Sequence, residues 1–248
     1  SKSHWDVPIE ILGTRFHFLV SHPTPPVFDG AEDRNGRRNH DEIRLWSDYL
    51  TPGSAGYLSG GLGEGERFVI AGDQNADPTK GDSVNAAINQ LLDHPRVSGE
   101  FVPARTGETT ASNRFDTATF RLRADYVLPS KEGFLIEDGA VYWPTKSQEG
   151  ASLVTVSDHR LVYLDLKLVP LIDEVVQDLS VENSDRKLVF RWEAKREVSY
   201  RLEKATNLDL DTWIRLDEVE IEINENRATA IFSEPAGRSF FRIVAYYE

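Results

Sequence analysis

The chain changes its periodicity near Pro170, and that change limits what it can fold into. Before it, strand-like and helix-like segments alternate; after it, short alternating segments follow one another with no comparable helix. In the first part, Phe16-His17-Phe18-Leu19-Val20, Arg67–Ala71, Ala124–Leu128 and Arg160–Leu168 read as strands. Asn39-His-Asp-Glu42 has the form of a capping box and leads into Ile43, Trp46, Tyr49 and Leu50 at helical spacing. A second helix is expected after Asp82, with Val84, Ala87, Ile88, Leu91 and Leu92 on one face. Strands mixed with helices bury their apolar faces as layers of helix over sheet. After Pro170, the segments VPLIDEVVQDLSV, KLVFRW, SYRLEKA, TWIRLDEV, VEIEI, ATAIF and FFRIVAYY are parted by polar turns such as Asn183-Ser-Asp185 and Pro235-Ala-Gly237. They describe a small antiparallel β-sandwich. Two domains are therefore expected, 1–170 and 171–248.

Composition excludes some chemistry. With 248 residues, 40% of them hydrophobic, the chain is long enough for one large core or two smaller ones. There is no Cys, which removes disulfides, thiolate catalysis and Cys-based zinc sites. No apolar run approaches the roughly 20 residues that a membrane helix needs. A net charge of -13 opposes long stretches of nucleic-acid phosphate, so nucleic acid is an alternative partner rather than the favoured one. That charge still admits a cleft taking one phosphoester at a time. The chain opens on SKSHWDVPIEIL, with neither Met nor a signal-like segment, and an upstream beginning is expected.

Four stretches set acid, amide or imidazole groups beside strand-like runs. They are LVSHPTPPVFDG with His22, FVIAGDQNADP with Asp73 and Asn75, RADYVLPS with Asp125, and VSDHRLVYLDL with Asp158 and His159. Loops at strand ends are where a rigid scaffold presents reactive groups, and these groups suit a hard divalent cation or general acid–base work. Taken singly, each has a plainer account: Gly-Asp-x-Asn is a common turn, His22 sits in a proline-stiffened bend, and Ser157-Asp158 is a strand entry. Asp73 and Asn75, two apart, would share a side of an extended chain.

In their joint order, SHPTPP, GDQNADP, ADYVL and SDHRLV resemble the endonuclease/exonuclease/phosphatase superfamily, the deoxyribonuclease I-like fold. FDGAEDRNGRRNHDEIRLWSDYL is similar to a bacterial branch of it common among exported proteins. The resemblance covers residues 1 to about 168. It implies an α/β fold, a four-layer αββα sandwich incomplete at its N-terminus, followed by the small all-β sandwich. The family pattern carries an Asn and a metal-binding Glu that would lie before Ser1, so a missing N-terminal segment of the same domain is an expected partner. The implied activity is divalent-metal-dependent hydrolysis of a small phosphoester or phosphodiester by in-line water attack, with Mg²⁺, Mn²⁺ or Ca²⁺ as cofactor. The implied location is secreted or periplasmic. A secreted nuclease on DNA or RNA, and an inactive scaffold or surface-binding protein, are the alternatives.

By the same resemblance, Asp73 would position or activate water and Asn75 would hydrogen-bond a phosphoryl oxygen. Asp158 would be a metal ligand. His159, oriented by Asp125, would contact the phosphate or act as general acid–base, and His22 would be the second imidazole. Arg34, Asn35, Arg37 and Arg38, in a mixed-charge loop, and Lys2 and His4, near the first strand, are candidates for substrate contact. Trp46, Trp192, Trp213 and the Phe240-Phe241 pair are expected in cores.

Overall fold

The computed structural model describes residues 3–11, 14–169, 176–195, 198–206, 213–233 and 239–246. The chain forms two compact units, Ser1–Lys167 and Leu168–Glu248.

In the first unit, β1 (His4–Ile11), β2 (Thr14–Ser21), β3 (Phe68–Asp73) and β5 (Asp125–Pro129) form one sheet in the order β1-β2-β3-β5. β2 and β3 run parallel; β3 and β5 run antiparallel, with Asp73 directly opposite Asp125. A second sheet holds β4 (Ala104–Arg105), β6 (Phe134–Tyr142) and β7 (Leu161–Leu168). The first sheet takes helices on one face. Helix α1 (Arg34–Tyr49) presents Gly36, Asn39, Ile43 and Trp46 as one buried stripe at helical spacing. Of these, Ile43 and Trp46 join Leu19, Phe68, Ile70 and Leu128 from the sheet, and Ile88 and Leu91 from the segment ending in α2 (Asn89–Leu92), in one core. Toward the second sheet, Phe16 of β2 meets Phe134 of β6 edge to face, with ring centroids 5.6 Å apart. Helix, sheet and sheet are thus three of the four expected layers; after β6 the described residues add a single 3₁₀ turn, Leu153–Thr155.

Two local expectations are corrected. Asn39 does not cap α1: the helix starts five residues earlier, after Asp33, and Asn39 lies inside it, fully buried. Its side-chain amide donates to the carbonyls of Thr24 and Gln74, both at 2.9 Å. Glu42 accepts the Thr24 N–H at 2.7 Å instead of closing a capping box. The helix expected after Asp82 is broken as well. Asn85 and Ala86 take left-handed φ values of 48° and 47°, leaving a 3₁₀ turn at Val84–Ala86 and the single turn of α2. Ala87, Ile88 and Leu91 are still buried, so the apolar pattern was correct although the helix is short.

The second unit is the expected β-sandwich. One sheet orders β12 (Ile221–Asn224), β13 (Arg227–Ser233), β9 (Lys187–Ala194) and β8 (Val176–Ser184); the other orders β11 (Ile214–Arg215), β10 (Ser199–Ala205) and β14 (Phe240–Tyr246). Their inner faces meet at Trp192, Tyr200, Leu202, Ala230 and Phe232. The β8–β9 turn falls at Asp185 and Arg186, both with positive φ, as tight hairpins require. The Pro235–Gly237 turn lies outside the described residues. Trp46, Trp192 and Phe241 are core as expected, whereas the partly exposed Trp213 lies under the Arg242 guanidinium, 4.5 Å from its ring centroid.

Because Ile43 is completely buried between α1 and the first sheet, Ile43→Ala should cost about 2–5 kcal/mol in urea unfolding of the first unit. A loss below about 1 kcal/mol would show that this helix is not packed as described.

Candidate active site

The site forms where β2, β3 and β5 end together. Gly72 has φ of 141°, and a Cβ there would run into the Ser21 carbonyl oxygen of the parallel neighbour. Only glycine lets β3 approach β2 so closely, and this brings Asp73 beside His22, the residue following β2. Behind them, Ser21 Oγ lies 3.1 and 3.2 Å from the two amide heteroatoms of Gln74 and accepts the Trp46 indole N–H at 2.9 Å. Both Ser21 and Gln74 are buried, so this polar knot ties the strand ends to α1 with its groups satisfied.

Beyond Asp73 the chain turns. Asn75 donates its backbone N–H to Asp73 Oδ1 at 2.8 Å and has φ of 51°, a left-handed turn that Asn tolerates. Its side-chain amide donates to the Pro23 carbonyl at 3.1 Å. Asp73 and Asn75 therefore reach the same cleft through a turn, not through the alternation of an extended strand.

Asp73 Oδ2 faces two imidazoles, with His22 Nε2 at 3.3 Å and His159 Nε2 at 3.7 Å. His159 Nδ1 lies 2.9 and 3.1 Å from the Asp125 carboxylate oxygens. An ionised carboxylate only accepts, so Nδ1 carries the proton and Nε2 is directed into the cleft. Thr117 fixes this pair. Its hydroxyl donates to Asp125 Oδ2 at 2.6 Å while accepting the N–H groups of Ala124 and Asp125. The backbone around Thr117 also holds the histidine: Thr119 N–H donates to Asp158 O and Arg160 N–H to Thr117 O, both at 2.8 Å. Burial opposes charge on His159, but the hydrogen bond and charge of Asp125, with the charges of Asp73 and Asp158, outweigh it and hold the imidazole above its usual value. Burial pushes the Asp73 carboxyl up, the Asn75 N–H pulls it down, and the facing Asp125 charge adds to the rise.

These groups line a cleft of roughly 600 Å³ that includes His22, Asp73, Asn75, Asp158 and His159. Asp125 stands behind His159. Asp73, Asp125 and His159 each offer an atom within 4.8 Å of the others, a grouping able to hold a metal ion. Asp125 is already engaged by Thr117 and His159; the carboxylates lining the cleft are Asp73, Asp77, Asp82 and the exposed Asp158. Carboxylate oxygens fit a hard divalent cation.

The model of the Endonuclease/Exonuclease/phosphatase family matches residues 11–159. The chain belongs to this family. No curated protein matches it. Similar solved structures include a β-hairpin deletion mutant of beta toxin from Staphylococcus aureus, at 12% identity and TM-score 0.36, covering 57% of this chain and 48% of that one. A double mutant of that toxin with bound magnesium ions has 13% identity and TM-score 0.37, covering 64% and 52%. Sphingomyelinase C from Streptomyces griseocarneus has 17% identity and TM-score 0.33, again covering 64% and 52%. The chain spans about half the length of each of these.

Within this member of the family, the other candidates fall away from the cleft lining. Arg34 and Arg37 are exposed, Arg34 3.6 Å from Glu32, and Arg38 is paired with Glu42 at 2.9 Å on the surface of α1. Asn35 serves the loop after His22: its amide donates to Val27 O at 2.7 Å and its backbone N–H to Asp29 Oδ2 at 2.5 Å. His4 packs edge-on to Trp46 and its Nε2 donates to the Glu42 carbonyl at 2.8 Å, with burial lowering its pKa. It supports α1 from β1. Lys2 lies outside the described residues. The sequence reading missed Thr117, Ser21 and Gln74, because hydroxyls and amides in loops carry no spacing signal. It also missed Lys80, whose ammonium donates to Asp116 Oδ1 at 2.8 Å and to Arg121 O at 3.0 Å beside the cleft.

Because Asp125 holds the His159 pKa up, Asp125→Asn should move the His159 titration to lower pH, read from its ring C–H resonances in NMR. An unmoved titration would show that the pair is not coupled.

Proposed function

We propose that this chain carries the catalytic groups of a divalent-metal-dependent hydrolase acting on a small phosphoester or phosphodiester. The observation that carries the reading is Asp73 facing two imidazoles in one cleft, one of them backed by a carboxylate. Membership of the Endonuclease/Exonuclease/phosphatase family supports it. A divalent cation held at Asp158, with Mg²⁺ the favoured ion and Mn²⁺ or Ca²⁺ the alternatives, would neutralise nonbridging phosphoryl oxygens.

The chain's own groups act on the attacking water and on the phosphoryl charge. Asp73, with its carboxyl raised by burial, takes a proton from the attacking water as the new P–O bond forms. The ester P–O bond breaks opposite the attacking water and the leaving oxygen takes a proton from solvent, while His159 Nε2, 3.7 Å from Asp73 Oδ2, donates to a nonbridging phosphoryl oxygen. His159 is suited to that role because its neighbours favour the imidazolium. Asp125 holds the ring orientation throughout, and His22 sets a second imidazole against the developing phosphoryl charge. The water's second proton remains on the phosphate product, and Asp73 returns its proton to solvent.

Small substrates suit this cleft better than a polynucleotide. Asp77, Asp82 and Asp158 lie along it, its Lys80 is already paired with Asp116, and the arginines of α1 lie away from its lining. The likeness to exported bacterial members supports a secreted or periplasmic location. No described helix is long and apolar enough to cross a membrane.

Full-length protein should hydrolyse bis-p-nitrophenyl phosphate or its monoester with Mg²⁺, Mn²⁺ or Ca²⁺, and EDTA should abolish turnover. His159→Ala should lower kcat by roughly 10²–10⁴-fold. The pH profile of kcat/KM should be a bell. Its acid limb belongs to Asp73 and lies above the usual carboxylate range, because turnover needs that group ionised. Its alkaline limb belongs to His159 and lies above the usual imidazole range, because turnover needs that group charged. Metal-independent turnover or an unaffected His159→Ala variant would overturn the reading.

A further inference from the structure

The polar floor of the cleft accounts for only part of its lining. Its mouth is apolar and carries two aromatic rings, Phe28 and Phe120, with Val27 and Leu122 beside them. Phe28 is 95% exposed and Phe120 is 45% exposed, so neither ring is there to fill a core.

The backbone that carries each ring is held by hydrogen bonds from neighbouring side chains and turns. Phe28 has φ of 65°, which a bulky side chain adopts only when its surroundings impose it. Asn35 imposes it from both sides, through its amide on Val27 O and its backbone N–H on the Asp29 carboxylate. Phe120 sits in a turn closed by Arg121 N–H on Ala118 O at 3.1 Å, with Arg121 at φ of 70°. That turn is clamped from outside. Lys80 donates to Arg121 O and Asp116 Oδ1, and Arg121 Nε lies 3.1 Å from Asp116 Oδ2. The clamp explains why a cleft lysine is paired internally.

Phe120 also touches the catalytic floor. Its ring lies edge-on to His159, with centroids 5.2 Å apart and planes at 73°. A group esterified to a phosphate held at His159 therefore has Phe120 beside it, in a cleft whose lining also includes Phe28. The cleft volume of roughly 600 Å³ is that of a site for a small organic ligand and well beyond a bare phosphate.

We propose that Phe28 and Phe120 form an apolar subsite that selects phosphoesters whose esterified group is aromatic or bulky alkyl, in preference to a sugar or a polyanion. The inference rests on the phosphoester reading of the floor and names its substrate class. The occupant is a soluble monomeric ester that enters the cleft. Its apolar moiety lies along the two rings, gaining burial and offset or edge-to-face aromatic contact while the phosphate stays on the polar floor.

The test uses non-hydrolysable probes, so that recognition is read apart from turnover. Binding of phenylphosphonate, cyclohexylphosphonate and methylphosphonate to full-length protein with Mg²⁺ should be measured by calorimetry, beside Phe28→Asn and Phe120→Ser variants. Asn tolerates the left-handed backbone at position 28, and both positions are exposed, so the variants should fold. Wild type should bind the phenyl and cyclohexyl probes about tenfold or more tightly than the methyl probe. The ratio should fall toward one when both changes are combined. Equal affinity for all three probes in wild type, or a preference that survives the double variant, would overturn the subsite. Failure of every probe to bind would overturn both the subsite and the phosphoester reading. Apolar preference in binding without hydrolysis of any ester would sustain the subsite and sink the hydrolase. Turnover of phospholipid vesicles with no preference among monomeric probes would replace the soluble occupant with a lipid surface and overturn the proposal as stated.

Discussion

The close approach of β3 to β2 at Gly72 is the constraint on which the site depends. A parallel pair cannot place Asp73 beside His22 unless the residue before Asp73 lacks a side chain, since a Cβ would meet the Ser21 carbonyl. The knot of Ser21, Gln74 and Trp46 then secures the contact by tying both strand ends to the most buried face of α1. Core and site are thus one construction. The same helix that buries Ile43 and Trp46 also lends Asn39 to the Thr24 and Gln74 carbonyls, holding the loops on either side of the cleft.

That construction creates an electrostatic problem and resolves it. Asp73 and Asp125 are direct cross-strand partners, an arrangement that destabilises a sheet when both are charged. His159 lies between them, with Nδ1 on Asp125 and Nε2 toward Asp73, and His22 approaches Asp73 from the other side. Burial, with the repulsion added, raises Asp73, the attraction of the carboxylates raises His159, and the two shifted groups face one space. Thr117 prevents the Asp125 carboxylate from turning away.

What the sequence disclosed was what its periodicity and local chemistry encode. The apolar run into Gly72-Asp73 marked a strand that hands a carboxylate to solvent, and ADYVL marked its neighbour. The sandwich after Pro170 was legible because two-residue alternation survives in β9, β10 and β13, although the strand expected at TWIRLDEV shrinks to Ile214–Arg215. The α1 start was misread because Asn39-His-Asp-Glu42 satisfies a capping pattern, while the groups that claim Asn39 and Glu42 are carbonyl and amide groups distant in sequence. The Arg34–Arg38 cluster suited phosphate by residue type, but helical geometry turns Arg34, Arg37 and Arg38 toward solvent. Thr117, Lys80 and Phe120 could not be found from spacing. Each acts through tertiary contacts, and such contacts leave no periodic trace.

The central claim is that His22 and His159, alone among the six histidines, face a phosphoryl group together. It is tested most directly by titrating the folded protein with inorganic phosphate while recording the histidine ring C–H resonances by NMR. The account predicts saturable shifts of the His22 and His159 signals, with those of His4, His17, His40 and His94 unmoved. Unmoved His22 and His159 signals, or shifts spread evenly over all six, would contradict it.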